Sequence, residues 1–199
     1  MTDDRFPNFM KGFFSASELM VRAGDRGCFV EYVCLAASVV DGFLRTGLVL
    51  RHQLDTKTAA IPDELIHQSD DDKILSERAI YKMALERGII TPAHFELLEA
   101  LYAKRNKVIH RYIISEITTD QVAQIAGEYQ QILQVIGQQV RQLEDQQLAT
   151  GIGMTVSASK VPADKRASKE ADIREMVDEK HGNPNLAKNL RKSSGTNGS

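Results

Sequence analysis

Residues Arg105-Asn106-Lys107-Val108-Ile109-His110-Arg111-Tyr112 bring an arginine, an asparagine, a histidine and a tyrosine into one short string, Arg-Asn-x3-His-x-Tyr. An arginine grips a phosphate through its planar fork of N–H donors, and a histidine moves protons near neutral pH. Together they fit metal-independent cleavage of RNA. A base takes the 2′-hydroxyl proton, that oxygen attacks the adjacent phosphorus, and a cation stabilises the charge developing on the phosphoryl oxygens. His110 is the candidate base or acid and Arg105 the candidate phosphate clamp, while DNA lacks the nucleophile. The chain contains no Gly-rich phosphate loop and no paired zinc-ligand spacing, so neither cofactor nor metal is expected.

The string falls near the end of a helical segment, and a helical wheel places its members. Leu98, Leu101, Val108, Ile109 and Tyr112 all lie within about 60° of Arg105, which therefore sits in the middle of an apolar face. A buried charge must be paired, so Arg105 has to meet a carboxylate, polar groups of a second chain or an anionic ligand. Asn106 and His110 are four residues apart and neighbour each other on the adjacent rim. Arg105 and His110 are about 140° apart and share no strict face. The reach of the arginine, a helix end near His110 or a second subunit would be needed to bring them together, and the misfit favours a site made at an interface.

The positioning elements are helices. A first short one is predicted within Asn8 to Arg22, broken by Gly24 and Gly27. The second, about Cys28 to Leu54, is apolar nearly all round, as expected of the central element of a bundle. Its exceptions, Glu31, Ser38, Asp41 and Arg45, fall on one stripe. That stripe is either a solvent face carrying an Asp41–Arg45 i,i+4 pair, or a source of polar groups for the site, with Asp41 or Glu31 orienting Arg105 or His110. The segment approaches membrane-spanning length, but a charge at the bilayer centre costs about 3 kcal/mol, so a buried core helix and no membrane are predicted.

Residues 56 to 72 look like an acidic loop, and the run Asp70-Asp71-Asp72 reads as favouring a helix N-terminus, without the ligand pattern of a calcium loop. A third helix is predicted from about Lys73 to Arg87, ended by Gly88. The fourth, capped by Thr91 with Pro92 in its first turn, runs to about Ile113 and carries the string. Thr118-x-x-Gln121 forms a capping box for a fifth, about Thr119 to Gln147. The expected fold is thus all-α, an antiparallel bundle of about five helices in residues 1–148. Residues 149–199 read as a flexible, mostly disordered polar tail with nine Lys and Arg against six Asp and Glu. Within it, Lys169 to Lys180 has the apolar residues for a short helix.

At 199 residues, 42% hydrophobic and 26% charged, the chain suits one well-packed domain with an appendage. A formal net charge of −2 argues against a polycation that coats nucleic acid, so any such contact is local. Cys28 and Cys34, about 9 Å apart along a helix, are too distant for a disulfide, and both read as small buried hydrophobes in a reducing compartment. The acidic start Met1-Thr2-Asp3-Asp4-Arg5 does not resemble a secretory signal, and the cytoplasm is the expected location.

The string resembles the Arg-x4-6-His signature of HEPN domains, small all-helical modules that often act as RNases. Arg105-Asn106-x3-His110-x-Tyr112 is similar in particular to the Arg-x4-His-x-Tyr form found in HEPN toxins paired with minimal nucleotidyltransferase antitoxins. The resemblance is specific over about eight residues and diffuse over the helical pattern of about residues 8–147. It implies a homodimeric ribonuclease acting as a toxin or defence effector, with Arg105 and His110 from both subunits lining one cleft and Asn106 and Tyr112 supporting them. It also implies that Tyr112 is adenylylated by an antitoxin nucleotidyltransferase. The alternative is a noncatalytic HEPN-like helical protein that binds a nucleotide, RNA or a protein partner.

Overall fold

The computed structural model describes residues 5–68 and 75–162. The acidic run at 70–72, the predicted helix at 169–180 and the part of the predicted tail from residue 163 onward lie outside them. Among the described residues every regular element is a helix: α1 (Arg5–Asp25), α2 (Phe29–Thr56), α3 (Asp63–Ile66), α4 (Glu77–Glu86), α5 (Pro92–Arg111), α6 (Thr119–Thr150) and α7 (Met154–Ser159). The fold is an all-α bundle.

At its centre is α2, packed against α1, α3, α4, α5 and α6. By length and composition this helix could cross a membrane, yet it is mostly buried inside the bundle. Val33, Ala36, Val40, Leu44 and Leu50 are all inaccessible to solvent, which accounts for an apolar sequence on nearly every side. Small residues let neighbours approach. A Cβ on Gly42 would lie 2.4 Å from the Phe13 ring, and that ring packs edge-on against Phe43 with centroids 4.9 Å apart.

The helix ends follow the sequence signals closely. The Thr91 side chain accepts from the His94 N–H at 3.3 Å, and Pro92 opens α5. Thr118 and Gln121 form the reciprocal capping box of α6. Gly88 has φ +66, and the amides of Gly88 and Ile89 bond back to Leu85 and Ala84 at 3.0 and 2.9 Å, the paired closure that a left-handed residue permits.

Other expectations shift. α1 continues through Gly24 and yields only before Gly27, whose φ is +69. Within the predicted loop, one turn of helix forms as α3 and buries Leu65. The third predicted helix starts at Glu77 and not at Lys73, because extended Ser76 caps it by accepting from the Ala79 N–H. α5 ends at Arg111, short of Ile113. Both cysteines are free and half-buried, with Cys28 at the N-cap of α2 and not inside it.

The chain stays compact through Val161, past the expected boundary at residue 148. Two wholly buried glutamines explain why. Gln147 Nε2 donates to Gln53 Oε1 at 2.9 Å and to the Leu50 carbonyl at 3.3 Å. The same Gln53 oxygen accepts from the Met154 N–H, and Gln147 Oε1 accepts from the Thr155 N–H, each at 3.0 Å. The amides opening α7 are thus satisfied by side chains of α2 and α6, as buried polar groups must be.

Candidate functional site

α5 carries the string, and its N-terminal two-thirds is anchored by Leu98 and Leu101, both fully buried. Tyr129 of α6 is also fully buried, and its hydroxyl donates to the Leu101 carbonyl at 3.4 Å. Lys104 pairs with Glu128 of α6, 2.6 Å to one oxygen. Val108 is the last fully buried residue of the helix. Beyond it the chain emerges into solvent.

Arg105 faces inward, as its place on the apolar wheel requires, and it finds a carboxylate. Its Nη2 donates to Glu77 Oε2 on the first turn of α4, with the two side chains 18% and 17% exposed. The guanidinium carbon lies 4.9 Å from the centre of the Tyr102 ring, one turn earlier on the same helix, where the ring face attracts a cation. The other Glu77 oxygen accepts from the Tyr81 hydroxyl. Arg105 Nε is buried without a hydrogen-bond partner.

Burial pushes the Glu77 carboxyl above the usual carboxylate range, a shift opposed by the Tyr81 hydrogen bond and by Arg105 and reinforced by nearby Asp41. Tyr81 is raised strongly, first by burial and then by the Glu77 charge. Tyr129 is raised too, by burial foremost, so both phenols stay neutral. Burial likewise lifts the Cys34 thiol, against the field of Arg105.

The orienting roles expected of Asp41 and Glu31 are corrected by these partners. Asp41 accepts from Arg45 Nε at 2.6 Å, and Arg45 reaches on to the carbonyls of Leu65 and Leu75 at 3.0 and 3.4 Å. Asp41 and Arg45 therefore brace the segment leading into α4, and the charge of Asp41 is felt by Glu77, the partner of Arg105. Glu31 and Ser38 are exposed. The stripe divides: its first half is a solvent face and its second half is internal.

His110 stands exposed in the last turn of α5, and Asn106 is half-buried. Arg105 and His110 lie five residues apart along the helix, a rise of about 7.5 Å, one turned into the bundle and the other out. A single copy does not bring them together. Tyr112 occupies the C-cap of α5 and is 45% exposed, followed by Ile113 and Ile114 at 95% and 82%. Ile109 and Tyr112, placed on the buried face by the wheel, are both exposed because the helix outruns the core they would pack against.

Sequence reasoning missed Glu77, Tyr81 and Tyr102. Tyr102 was within reach, since i and i+3 are neighbours on a helix. Glu77 was hidden because a helix begun at Lys73 places it mid-helix, with nothing in its own segment to mark a partner on α5. Among the described residues no group of three or more His, Cys, Asp or Glu is placed to hold a metal ion.

No family model, no curated protein and no solved structure matches this chain.

Proposed function

We propose that the chain is a metal-independent RNA endonuclease of HEPN type, a toxin or defence effector whose active site is composed at a homodimer interface. The observation that carries this reading is the division of α5. Arg105 is fixed in the bundle by Glu77, and His110 is presented to solvent one and a half turns later.

With Nη2 engaged by Glu77, the Nη1 donors of Arg105 are the ones left to bind a phosphate, and the neighbouring Asn106 can add a neutral donor. His110 takes the proton of the 2′-hydroxyl. The O2′–P bond forms as the P–O5′ bond breaks, the departing 5′-oxygen receives a proton from the His110 of the second copy, and a 2′,3′-cyclic phosphate and a 5′-hydroxyl result. Arg105 stabilises the charge on the phosphoryl oxygens as it develops.

Two copies are needed because one copy separates its arginine from its histidine. The bare apolar pair Ile113 and Ile114, in the turn just past α5, supplies the kind of surface that partners cover. Tyr112 beside it is the residue whose adenylylation by an antitoxin nucleotidyltransferase would fill the cleft. Two free cysteines suit a reducing compartment, and the cytoplasm is the location this reading takes.

The test is His110→Ala. The variant is expected to lose RNA cleavage and cellular toxicity while its circular dichroism and melting temperature stay close to those of the native chain, since an exposed substitution costs within about 0.5 kcal/mol. Undiminished cleavage by that variant overturns the proposal.

One observation favours a second reading. Glu77 satisfies Arg105 internally, as in a structural ion pair, which suits a noncatalytic helical protein that binds a nucleotide, RNA or a protein partner. Such a protein loses no function with His110→Ala.

A further inference from the structure

Two hollows meet where the end of α1 lies against the start of α2. The larger, about 480 Å3, has an apolar wall that includes Leu19 and Leu35 and is also lined by Arg22 and Arg26. The smaller, about 240 Å3, is bounded by Phe29 and by Tyr112, the last residue of the string. Val30 and Glu31 line both, so the hollows are neighbours along one furrowed surface, with Tyr112 bordering the smaller and the two arginines the larger.

The residues of this furrow match the parts of a nucleotide strand. Both arginines are exposed, and the partner of Arg22 is Glu18 at 3.0 Å, in a pair about half open to water. Exposed pairs of that kind are weak, so Arg22 is readily surrendered to a phosphate, which a guanidinium grips in bidentate fashion. The larger hollow falls within the roughly 300–1,000 Å3 range of small-ligand pockets. The smaller one suits a single flat ring against Phe29 and Tyr112, and stacking of bases on aromatic side chains is tolerant of sequence. Glu31, where the hollows join, repels phosphate but accepts hydrogen bonds from the amino edge of a base.

We infer that this furrow carries single-stranded RNA flanking the cleaved bond, with Arg22 and Arg26 on its backbone phosphates and Glu31 on a base edge. The substrate class rests on the ribonuclease reading above. The arginine contacts are a separate claim, and they give Glu31 a role that does not involve orienting Arg105 or His110.

The experiment measures binding of a short fluorescein-labelled 2′-O-methyl RNA, whose nucleophile is blocked, to the full-length chain by fluorescence anisotropy over a series of KCl concentrations. Replacing both arginines, Arg22→Ala with Arg26→Ala, is expected to weaken binding by roughly tenfold or more and to reduce the log–log salt slope by about 1.4, the value for two lost single-strand phosphate contacts. Arg22→Lys with Arg26→Lys should keep most of the slope, and Glu31→Gln should change the preference among homopolymer RNAs. Unchanged affinity and slope in the double alanine variant overturns the inference, as does binding of an acidic peptide in place of RNA. Failure of the two claims is distinguishable. Undiminished cleavage of unmodified RNA by the double alanine variant removes the furrow and spares the nuclease. Arginine-dependent RNA binding by a native chain that cleaves nothing removes the nuclease and supports the furrow.

Discussion

Arg105 of α5 and Glu77 of α4 are joined by an ion pair largely shielded from water, with the Tyr102 ring under the guanidinium and the Tyr81 hydroxyl on the carboxylate. The pair ties two helices together at the point where the candidate chemistry begins. Each partner also answers the cost of burying the other.

Glu77→Ala or Arg105→Ala is therefore expected to lower unfolding stability by about 2–4 kcal/mol, somewhat less than for a fully enclosed pair because some water contact remains. The combination Glu77→Gln with Arg105→Met should cost less than the sum of its single changes, with a coupling of roughly 1–3 kcal/mol in urea denaturation. Additive losses would mean that the pair is not the support described.

The buried carboxyls set a pH dependence. Burial raises both Asp41 and Glu77 above their ordinary values, so between those ordinary values and the raised ones the folded chain holds more protons than the unfolded chain. Stability from these groups is then fully present below the ordinary carboxylate range and is lost as pH rises through the raised values. Asp41→Asn removes one such titration. The stability of the native chain relative to this variant should decline as pH is raised from the acidic range toward neutrality in denaturant titrations; a rising difference contradicts the assignment.

The α6–α7 turn depends on a residue without a side chain. Gly153 has φ +96, and a Cβ there would lie 2.4 Å from the buried Gln147 amide. Gly153→Ala is expected to cost about 2 kcal/mol through backbone strain and displacement of the glutamine pair, seen as a melting temperature lower by roughly 4–8 °C. An unaltered melting curve would show that the turn does not constrain α7.

The exposed turn that follows α5 offers a test of assembly. Ile113→Lys with Ile114→Lys replaces two solvent-facing isoleucines and leaves the core untouched, so the melting temperature should hold. If the proposed dimer forms through this surface, sedimentation velocity is expected to show a dimer for the native chain and a monomer for the variant, together with loss of RNA cleavage. A dimer that persists in this variant places the interface elsewhere.

The sequence by itself determined five of the seven helices among the described residues and several of their ends, because caps and glycine closures are local: Thr91, Thr118 with Gln121, and Gly88 all act within a few residues of themselves. It also determined that α2 is central, since only a surrounded helix tolerates apolar residues on every side, and that Arg105 faces inward and needs a partner. Only the tertiary structure decided that the partner is Glu77, 28 positions away in the chain, because periodicity describes one helix at a time and does not say which neighbour supplies a charge. The same limit placed Ile109 and Tyr112 on a buried face that the bundle does not extend far enough to cover. It also hid Gln53 and Gln147, whose burial rests on a hydrogen bond between α2 and α6 that no single helix reveals.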